Sequence, residues 1–187
     1  PLPAVASWED VPKEKSAELQ YRYATWAGQH ANPEAAWLAV INYWSSEPDW
    51  VLPAQMQLGQ HYLDEHELDK AQRHFAEMST AVDEKTRLAG EVGKAAVLSL
   101  RLDPVGSQTA LWEIVKDSSV ASDPKSSADR MVLGMILATL ERNYRNLGRD
   151  WEPEVKSWAN RRLRQFRPLQ GALPGDPPPP GQPGRSP

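Results

Sequence analysis

Residues Gln55–Met78 read QMQLGQHYLDEHELDKAQRHFAEM, and they carry the clearest structural pattern in a chain of 187 residues. Leu58 and Tyr62 are four residues apart, so they share one face of a helix. A second apolar stripe at spacings of three and four follows, made of Leu68, Ala71, Phe75 and Met78. The polar run at residues 64–67 separates the stripes and is long enough for a tight turn. The pattern predicts two helices joined as a hairpin.

Small residues on both predicted helices, Gly59 and Ala71, would let the helices approach closely. Together with their neighbours they resemble the tetratricopeptide repeat, through Leu58, Gly59, Tyr62, Ala71 and Phe75 at the spacing of that family. The chain departs from the family at Gln55, where Trp is usual, and at Met78, where a small Ala is usual. The resemblance implies antiparallel helix pairs stacked as a short right-handed α-solenoid. It does not identify a function, because many unrelated proteins use this scaffold.

Apolar residues at helical spacing continue on both sides of this hairpin. Three predicted helix starts use an Asn or Asp that can cap, followed by a Pro that fits the first turn, at Asn32-Pro33, Asp103-Pro104 and Asp123-Pro124. The first helices of four pairs are predicted to start near residues 13, 53, 85 and 125. No segment alternates apolar and polar residues over the length of a strand. We therefore expect an all-α fold of about eight helices in four pairs.

The predicted domain organisation has three parts. Residues 1–12 form an extended lead-in, in which Trp8 packs back on the first helices or, alternatively, binds a partner. Residues 13–167 form the helical repeat domain. Residues 168–187 contain eight Pro and four Gly and are predicted to be a disordered tail, either a linker or a ligand for an aromatic groove. Because the chain begins at Pro1 without a signal peptide, we expect a processed or excised piece of a longer protein.

Composition and charge exclude several classes of protein. Without cysteine there is no disulfide, no thiol catalysis and no Cys-based zinc site. No apolar run approaches the length of a membrane span. Residues 130–167 hold nine Lys or Arg and four Asp or Glu, a balance of +5, and residues 168–187 balance at zero; the overall charge of −4 therefore leaves −9 on residues 1–129. We expect a soluble protein, cytoplasmic or exported, that is unlikely to bind nucleic acid.

Candidate catalytic and metal-binding residues are sparse. His61 and Glu65 are four residues apart and could both face a metal, but no third ligand is evident. The carboxylates cluster at Asp64, Glu65, Glu67 and Asp69, in a predicted turn where burial is not expected, whereas catalysis by paired acids needs one of them desolvated. The chain has no phosphate-binding loop, dinucleotide-binding turn or nucleophile elbow. We predict no catalytic residue, no metal and no cofactor.

Tryptophan and arginine clusters allow two interpretations each. Four of the eight Trp residues fall within 25 positions, as Trp26, Trp37, Trp44 and Trp50. They form core contacts between helices, or one or two of them are binding anchors in a groove. The last predicted helix ends with Arg161, Arg162, Arg164 and Arg167. These arginines favour a helix C-terminus and solubility, or they attract an anionic partner.

The resemblance implies that the first helices of the pairs line a concave groove that binds a peptide or protein segment, and we therefore expect a non-catalytic scaffold. The face of the first hairpin helix turned away from its partner helix carries Met56, Gln60 and Leu63, and we predict that this stripe is exposed in the groove. The alternative is that it packs on a neighbouring pair. Met56 and Gln60 do not match the residues with which some members of the resembled family grip a terminal carboxylate. Two other functions stay open: a helical domain of a larger enzyme, and an anionic-surface binder acting through the C-terminal arginines.

Overall fold

The computed structural model of the chain describes residues 7–30, 32–117, 125–147 and 157–158. These ranges contain a 3-10 helix, Trp8–Asp10, and seven α-helices. The α-helices are α1 Ala17–His30, α2 Pro33–Tyr43, α3 Pro48–Asp64, α4 Leu68–Ser79, α5 Glu84–Leu100, α6 Pro104–Asp117 and α7 Ser127–Leu147. No strand occurs in the described ranges, so the all-α prediction is confirmed. The seven helices belong to the compact unit Pro1–Asp150. The predicted eighth helix, apart from residues 157–158, and the tail at 168–187 lie outside the described residues.

Capping side chains set three helix starts. Asn32, followed by Pro33, accepts a hydrogen bond of 3.2 Å from the backbone N–H three residues on and begins α2. Asp83 begins α5 with the same contact at 2.8 Å, and Asp103 begins α6 with it at 2.9 Å. Each cap satisfies an N–H that has no partner within its own helix. The predicted starts of α2, α5 and α6 are confirmed.

The start of α3 differs from the prediction. The sequence suggested a helix beginning near Pro53, whereas α3 begins at Pro48 and continues through Pro53. Pro48 suits the first turn, where the missing N–H costs no helical hydrogen bond. Pro53 has no N–H, so the helix lacks the hydrogen bond to the carbonyl of Asp49. Asp49 is exposed, so water can bond to that carbonyl instead.

Helices α5 and α6 begin 36 residues after α3 and α4, and α3 and α5 are each 17 residues long. The turns between the helices of each pair repeat as well. His66 and Leu102 have φ angles of 58° and 64°. After each, the next N–H bonds to the carbonyl five residues earlier, at 2.9 Å and 3.0 Å. The second and third helix pairs therefore share one structural repeat, with a period of 36 residues where the sequence predicted 32.

The fully buried Phe75 joins three helices. Its ring lies against Gly59 of α3 and Gly93 of α5, so closely that a Cβ atom added to either glycine would overlap the ring. Gly90 of α5 lies equally close to the backbone at the end of α4. Glycine is required at these positions because any side chain would push the helices apart. The small residue expected opposite Gly59 was Ala71, which is buried, but the nearest atoms belong to Phe75 and His74.

The segment before α1 is held against the first two helices. The ring of Trp8 packs edge-on against Tyr43 of α2, with centroids 5.3 Å apart, so the predicted inward packing of Trp8 is confirmed. Val11 is buried, and its carbonyl accepts a 3.0 Å hydrogen bond from the Tyr43 hydroxyl. The buried Gln20 side chain binds the backbone on either side of Lys13, at 3.2 Å and 2.8 Å. Where an extended segment was predicted, Trp8–Asp10 forms a single 3-10 turn.

Each described helix packs on its neighbour in sequence, from α1 to α6, and α6 packs on α7. In addition α3 contacts α1 and α5, and α5 contacts α7. Helices α4 and α5 are antiparallel. Asp69 near the start of α4 pairs with Arg101 at the end of α5 at 2.5 Å, and Phe75, later in α4, lies against Gly93, earlier in α5. Helix α3 also contacts α7, and the cleft described next lies between these two helices.

Candidate functional site

A cleft of about 240 Å³ lies between α3 and α7. It is lined from α3 by Met56, Gln57 and Gln60, and from α7 by Met131, Gly134, Met135 and Ala138. Three of the four methionines of the protein therefore meet at one surface. These seven residues are called the α3–α7 cleft below.

Helical spacing explains why these side chains share one surface. Met56 and Gln60 are four residues apart on α3, with Gln57 beside them. The α7 residues follow at spacings of three and four from Met131 to Ala138. Gly134 and Ala138 add little bulk, so α7 leaves space where longer side chains would fill it. The result is an apolar recess with flexible thioether walls.

The structure places two of the three predicted binding residues in this cleft. Met56 and Gln60 line it, whereas Leu63 does not. The predicted exposure is wrong for Met56 and Leu63, which are only 2% and 5% exposed. The reason is that α3 contacts five other helices, so little of its surface is left to solvent. Of the predicted stripe, Gln60 alone keeps a partly exposed side chain.

The α7 side of the cleft was not predicted from the sequence. A fourth helix pair was predicted to start near residue 125, but none of its residues was predicted to bind a partner. A signal was present, since Met131, Met135 and Ala138 follow the spacing of one helical face. Local periodicity could not reveal which helix lies opposite, and α3 is more than 60 residues away in the sequence.

The two glutamines at the cleft are held differently. Gln57 hydrogen-bonds the Tyr21 hydroxyl. The Tyr21 ring lies 5.1 Å from that of Trp37 and 5.5 Å from that of Trp50, and burial raises the pKa of its hydroxyl above the ordinary value. Gln60 Nε2 donates to Asp64 Oδ1 at 2.7 Å, at the end of α3. Gln57 is thus fixed by an aromatic cluster, while Gln60 is oriented by an exposed carboxylate.

A polar network positions α3 against α2 and α4. Tyr62 donates to one oxygen of Glu34 at 2.9 Å, and Lys70 donates to the other at 3.0 Å. Lys70 also pairs with Glu67 at 2.9 Å. Burial alone would raise the pKa of Glu34, but the hydrogen bonds from Lys70 and Tyr62 outweigh it and lower that pKa. Burial and the Glu34 carboxylate raise the pKa of Tyr62, so its hydroxyl stays protonated and keeps donating.

A buried carboxylate holds the start of α7 against α5. Asp129 accepts hydrogen bonds from the backbone N–H groups of Lys125 and Ser126, at 3.1 Å and 2.9 Å, and it pairs with Lys85 of α5 at 3.1 Å. Burial would raise the pKa of Asp129, yet the bonds from Ser126 and Lys85 lower it overall. Near the other end of α7, buried Asn143 donates to Ser107 of α6 at 2.9 Å. These two contacts fix the α7 wall of the cleft.

The residues weighed for catalysis and metal binding are mostly exposed. Asp64, Glu65, His66 and Glu67 are exposed at the end of α3 and in the turn that follows. No group of three or more His, Asp or Glu that could hold a metal occurs in the part of the chain that the structure describes. His74 differs, because its ring packs against Tyr62 and Phe75 and its Nε2 lies 2.7 Å from the Gln55 carbonyl. Burial lowers the pKa of His74, so the neutral ring donates to this carbonyl.

The four clustered tryptophans are not equivalent. Trp37 is buried and contributes to the aromatic cluster at Tyr21, which is the expected core role. Trp44 and Trp50 are partly buried, and Trp26 is 45% exposed. None of the four lines the α3–α7 cleft, so the cleft has methionine rather than tryptophan as its large apolar side chain.

No family model matches the chain, and no curated protein or solved structure matches it either. Among the described residues, no helix combines the length and the apolar character needed to cross a bilayer.

Proposed function

We propose that this chain is a non-catalytic protein-interaction scaffold, built as a short right-handed α-solenoid of antiparallel helix pairs similar to tetratricopeptide repeats. Its binding surface is the α3–α7 cleft, where it takes a peptide or protein segment. The main support for this proposal is the apolar, methionine-lined recess, which lies between two helices that each begin a predicted helix pair. Methionine adapts its shape to a partner and is frequent at protein-binding surfaces.

Two features support the repeat architecture. Two successive helix pairs are related by a period of 36 residues. A residue with a left-handed backbone conformation occupies the same place in the turn of each pair, His66 in one and Leu102 in the other. Every described helix contacts its neighbour in sequence, and helices that begin successive pairs also contact each other. This pattern is typical of stacked helical hairpins, in which each unit buries its apolar face on the next.

The two other functions considered from the sequence stay hypotheses. A helical domain of a larger enzyme is compatible with the same fold, since a fold does not imply a function. Binding to an anionic surface would depend on Arg161, Arg162, Arg164 and Arg167, which lie outside the described residues.

Affinity capture with the immobilised full chain tests the scaffold proposal. We expect wild type to retain partner proteins that a double variant, Gln60→Ala with Met131→Ala, no longer retains. Glu113→Ala, an exposed substitution on α6, is the matched control and should retain them. Thermal midpoints of all three proteins verify folding. Equal capture by the double variant and the control would remove the cleft from the function.

A salt titration of the same capture separates the two modes of binding. Contacts in an apolar cleft should persist between about 50 and 200 mM salt, whereas attraction through several arginines should weaken by orders of magnitude over that range. Loss of all capture at the higher concentration would favour the anionic-surface hypothesis.

A further inference from the structure

We infer that the α3–α7 cleft takes one or two large aliphatic side chains of an extended segment of a partner protein, and that Gln60 binds the backbone of that segment. The inference rests on the proposed function and names the chemistry of the partner. It follows from the size of the cleft, the character of its lining and the hydrogen-bonding state of Gln60.

The size of the cleft selects side chains over larger ligands. Its volume of about 240 Å³ exceeds that of a cavity of roughly 150 Å³ that accepts benzene. It is smaller than the pockets of about 300–1,000 Å³ that enclose drug-sized ligands. A sphere of this volume is about 8 Å across, which admits side chains rather than a whole α-helix of about 10–12 Å diameter. One or two side chains of leucine size fit it.

The lining selects an apolar group. None of the seven lining residues is charged, and three of them are the methionines Met56, Met131 and Met135. A charged side chain entering the cleft would lose its hydration without gaining an opposite charge, which is costly. An aliphatic side chain gains from leaving water and contacts thioethers that adjust to its shape.

Gln60 supplies the polar contact at the edge of the cleft. Its Nε2 donates to Asp64, while its Oε1 accepts no hydrogen bond within the described part of the chain. An extended segment leaves backbone N–H groups that need acceptors. Side chains at positions i and i+2 of such a segment point to the same side, so two leucines separated by one residue can face the cleft together.

Methionine methyl NMR on the full chain provides the test. With methyl-labelled methionine the protein gives four methyl signals, which single Met→Leu substitutions assign. The probe is an acetylated and amidated peptide of sequence GSLTLSG, with GSATASG and GSETESG as matched controls. We expect the leucine peptide to shift the signals of Met56, Met131 and Met135 saturably and to leave Met78, which lies on α4 outside the cleft, unchanged. The alanine and glutamate peptides should cause no shift.

Two substitutions locate the binding. Ala138→Phe fills the cleft from an exposed position and should weaken binding of the leucine peptide at least about tenfold. Thr109→Phe, also exposed but on α6, is the matched control and should bind as wild type does. Circular dichroism and the thermal midpoint verify that both variants fold. Gln60→Met keeps the apolar surface but removes the acceptor, and it should weaken binding by a smaller factor.

Several outcomes would overturn the inference. The first is that the leucine peptide at millimolar concentration shifts no methyl signal. The second is that the glutamate peptide shifts the signals as much as the leucine peptide does. The third is that Ala138→Phe binds the leucine peptide as tightly as wild type does. Cleft-methyl shifts that depend on protein concentration without peptide would assign the cleft to a second copy of the chain instead. If affinity capture depends on the cleft but the leucine peptide does not bind there, the scaffold proposal stands and the aliphatic-segment inference is wrong. If neither experiment shows cleft-dependent binding, both are wrong.

Discussion

At the scale of single residues, the contact of Phe75 with Gly59 and Gly93 leaves no room for a Cβ atom at either glycine. Gly93→Ala would place a Cβ atom about 2 Å from atoms of the fully buried Phe75 ring, so the ring or the helices would have to shift. The alanine favours the helix by about 1 kcal/mol, but overpacking costs about 1–3 kcal/mol. We therefore expect a net loss in the free energy of unfolding, measured by urea denaturation.

A double-mutant cycle provides the control for this residue-scale prediction. Phe75→Leu alone should destabilise the protein because it leaves space between α3, α4 and α5. In the double variant the smaller leucine side chain relieves the overlap with Ala at position 93. The double variant should therefore lose less free energy of unfolding than the sum of the losses in the two single variants. Strict additivity would show that Gly93 and Phe75 do not constrain each other.

At the scale of the element, Asp129 fixes the start of α7. Asp129→Asn should lower the free energy of unfolding by about 1–2 kcal/mol at pH 7, because it weakens a helix cap and removes the charge that faces Lys85. The pKa of Asp129 is lower in the folded chain than in the unfolded one. Its contribution is therefore complete above the unfolded pKa and disappears as the pH falls through the folded pKa.

The pH dependence distinguishes this charge effect from simple loss of packing. We expect the difference in stability between wild type and Asp129→Asn to shrink below about pH 4, where the Asp129 carboxylate of the unfolded chain begins to protonate. Glu141→Gln is the matched control on the same helix, since Glu141 is exposed and lies 3.8 Å from Arg145. It should leave the unfolding midpoint unchanged. A stability difference that is constant between pH 7 and pH 3 would contradict the assignment.

At the scale of the whole molecule, the tryptophans and the helices report on different regions. Five of the eight tryptophans lie between Trp8 and Trp50, whereas far-ultraviolet circular dichroism reports all helices. Glu34 connects α2 to both α3 and α4 through Tyr62 and Lys70. We expect this network and the helix contacts around it to give one cooperative transition, so fluorescence and circular dichroism should have the same urea midpoint.

The same experiment on Glu34→Gln shows whether the network couples the two regions. The amide keeps one acceptor but loses the charge that pairs with Lys70. The fluorescence midpoint should then move to lower urea than the circular dichroism midpoint, because the end of the chain that contains α1 and α2 is less firmly attached. Separate midpoints already in wild type would contradict a single cooperative unit.

Features encoded by neighbouring residues could be predicted from the sequence. Asn32 and Asp103 cap the helices that they were predicted to begin, and Asp83 caps α5 close to its predicted start near residue 85. The turn between α3 and α4 falls at the polar run after Tyr62, as its composition indicated. Each of these features depends on contacts within a few residues along the chain, where capping, turn chemistry and helical period act directly.

Only the tertiary structure decided what covers each helix face. Periodicity showed that Met56 and Leu63 lie on an apolar stripe, but it gave no information on whether solvent or another helix faces that stripe. The structure buries both residues and places Met56 in one cleft with Met131 and Met135, which are about 75 residues later in the chain. An apolar side chain gains similar free energy whichever apolar surface takes it from water, since the hydrophobic effect is not directional. The cleft therefore depends on how distant helices pack, which local sequence does not encode.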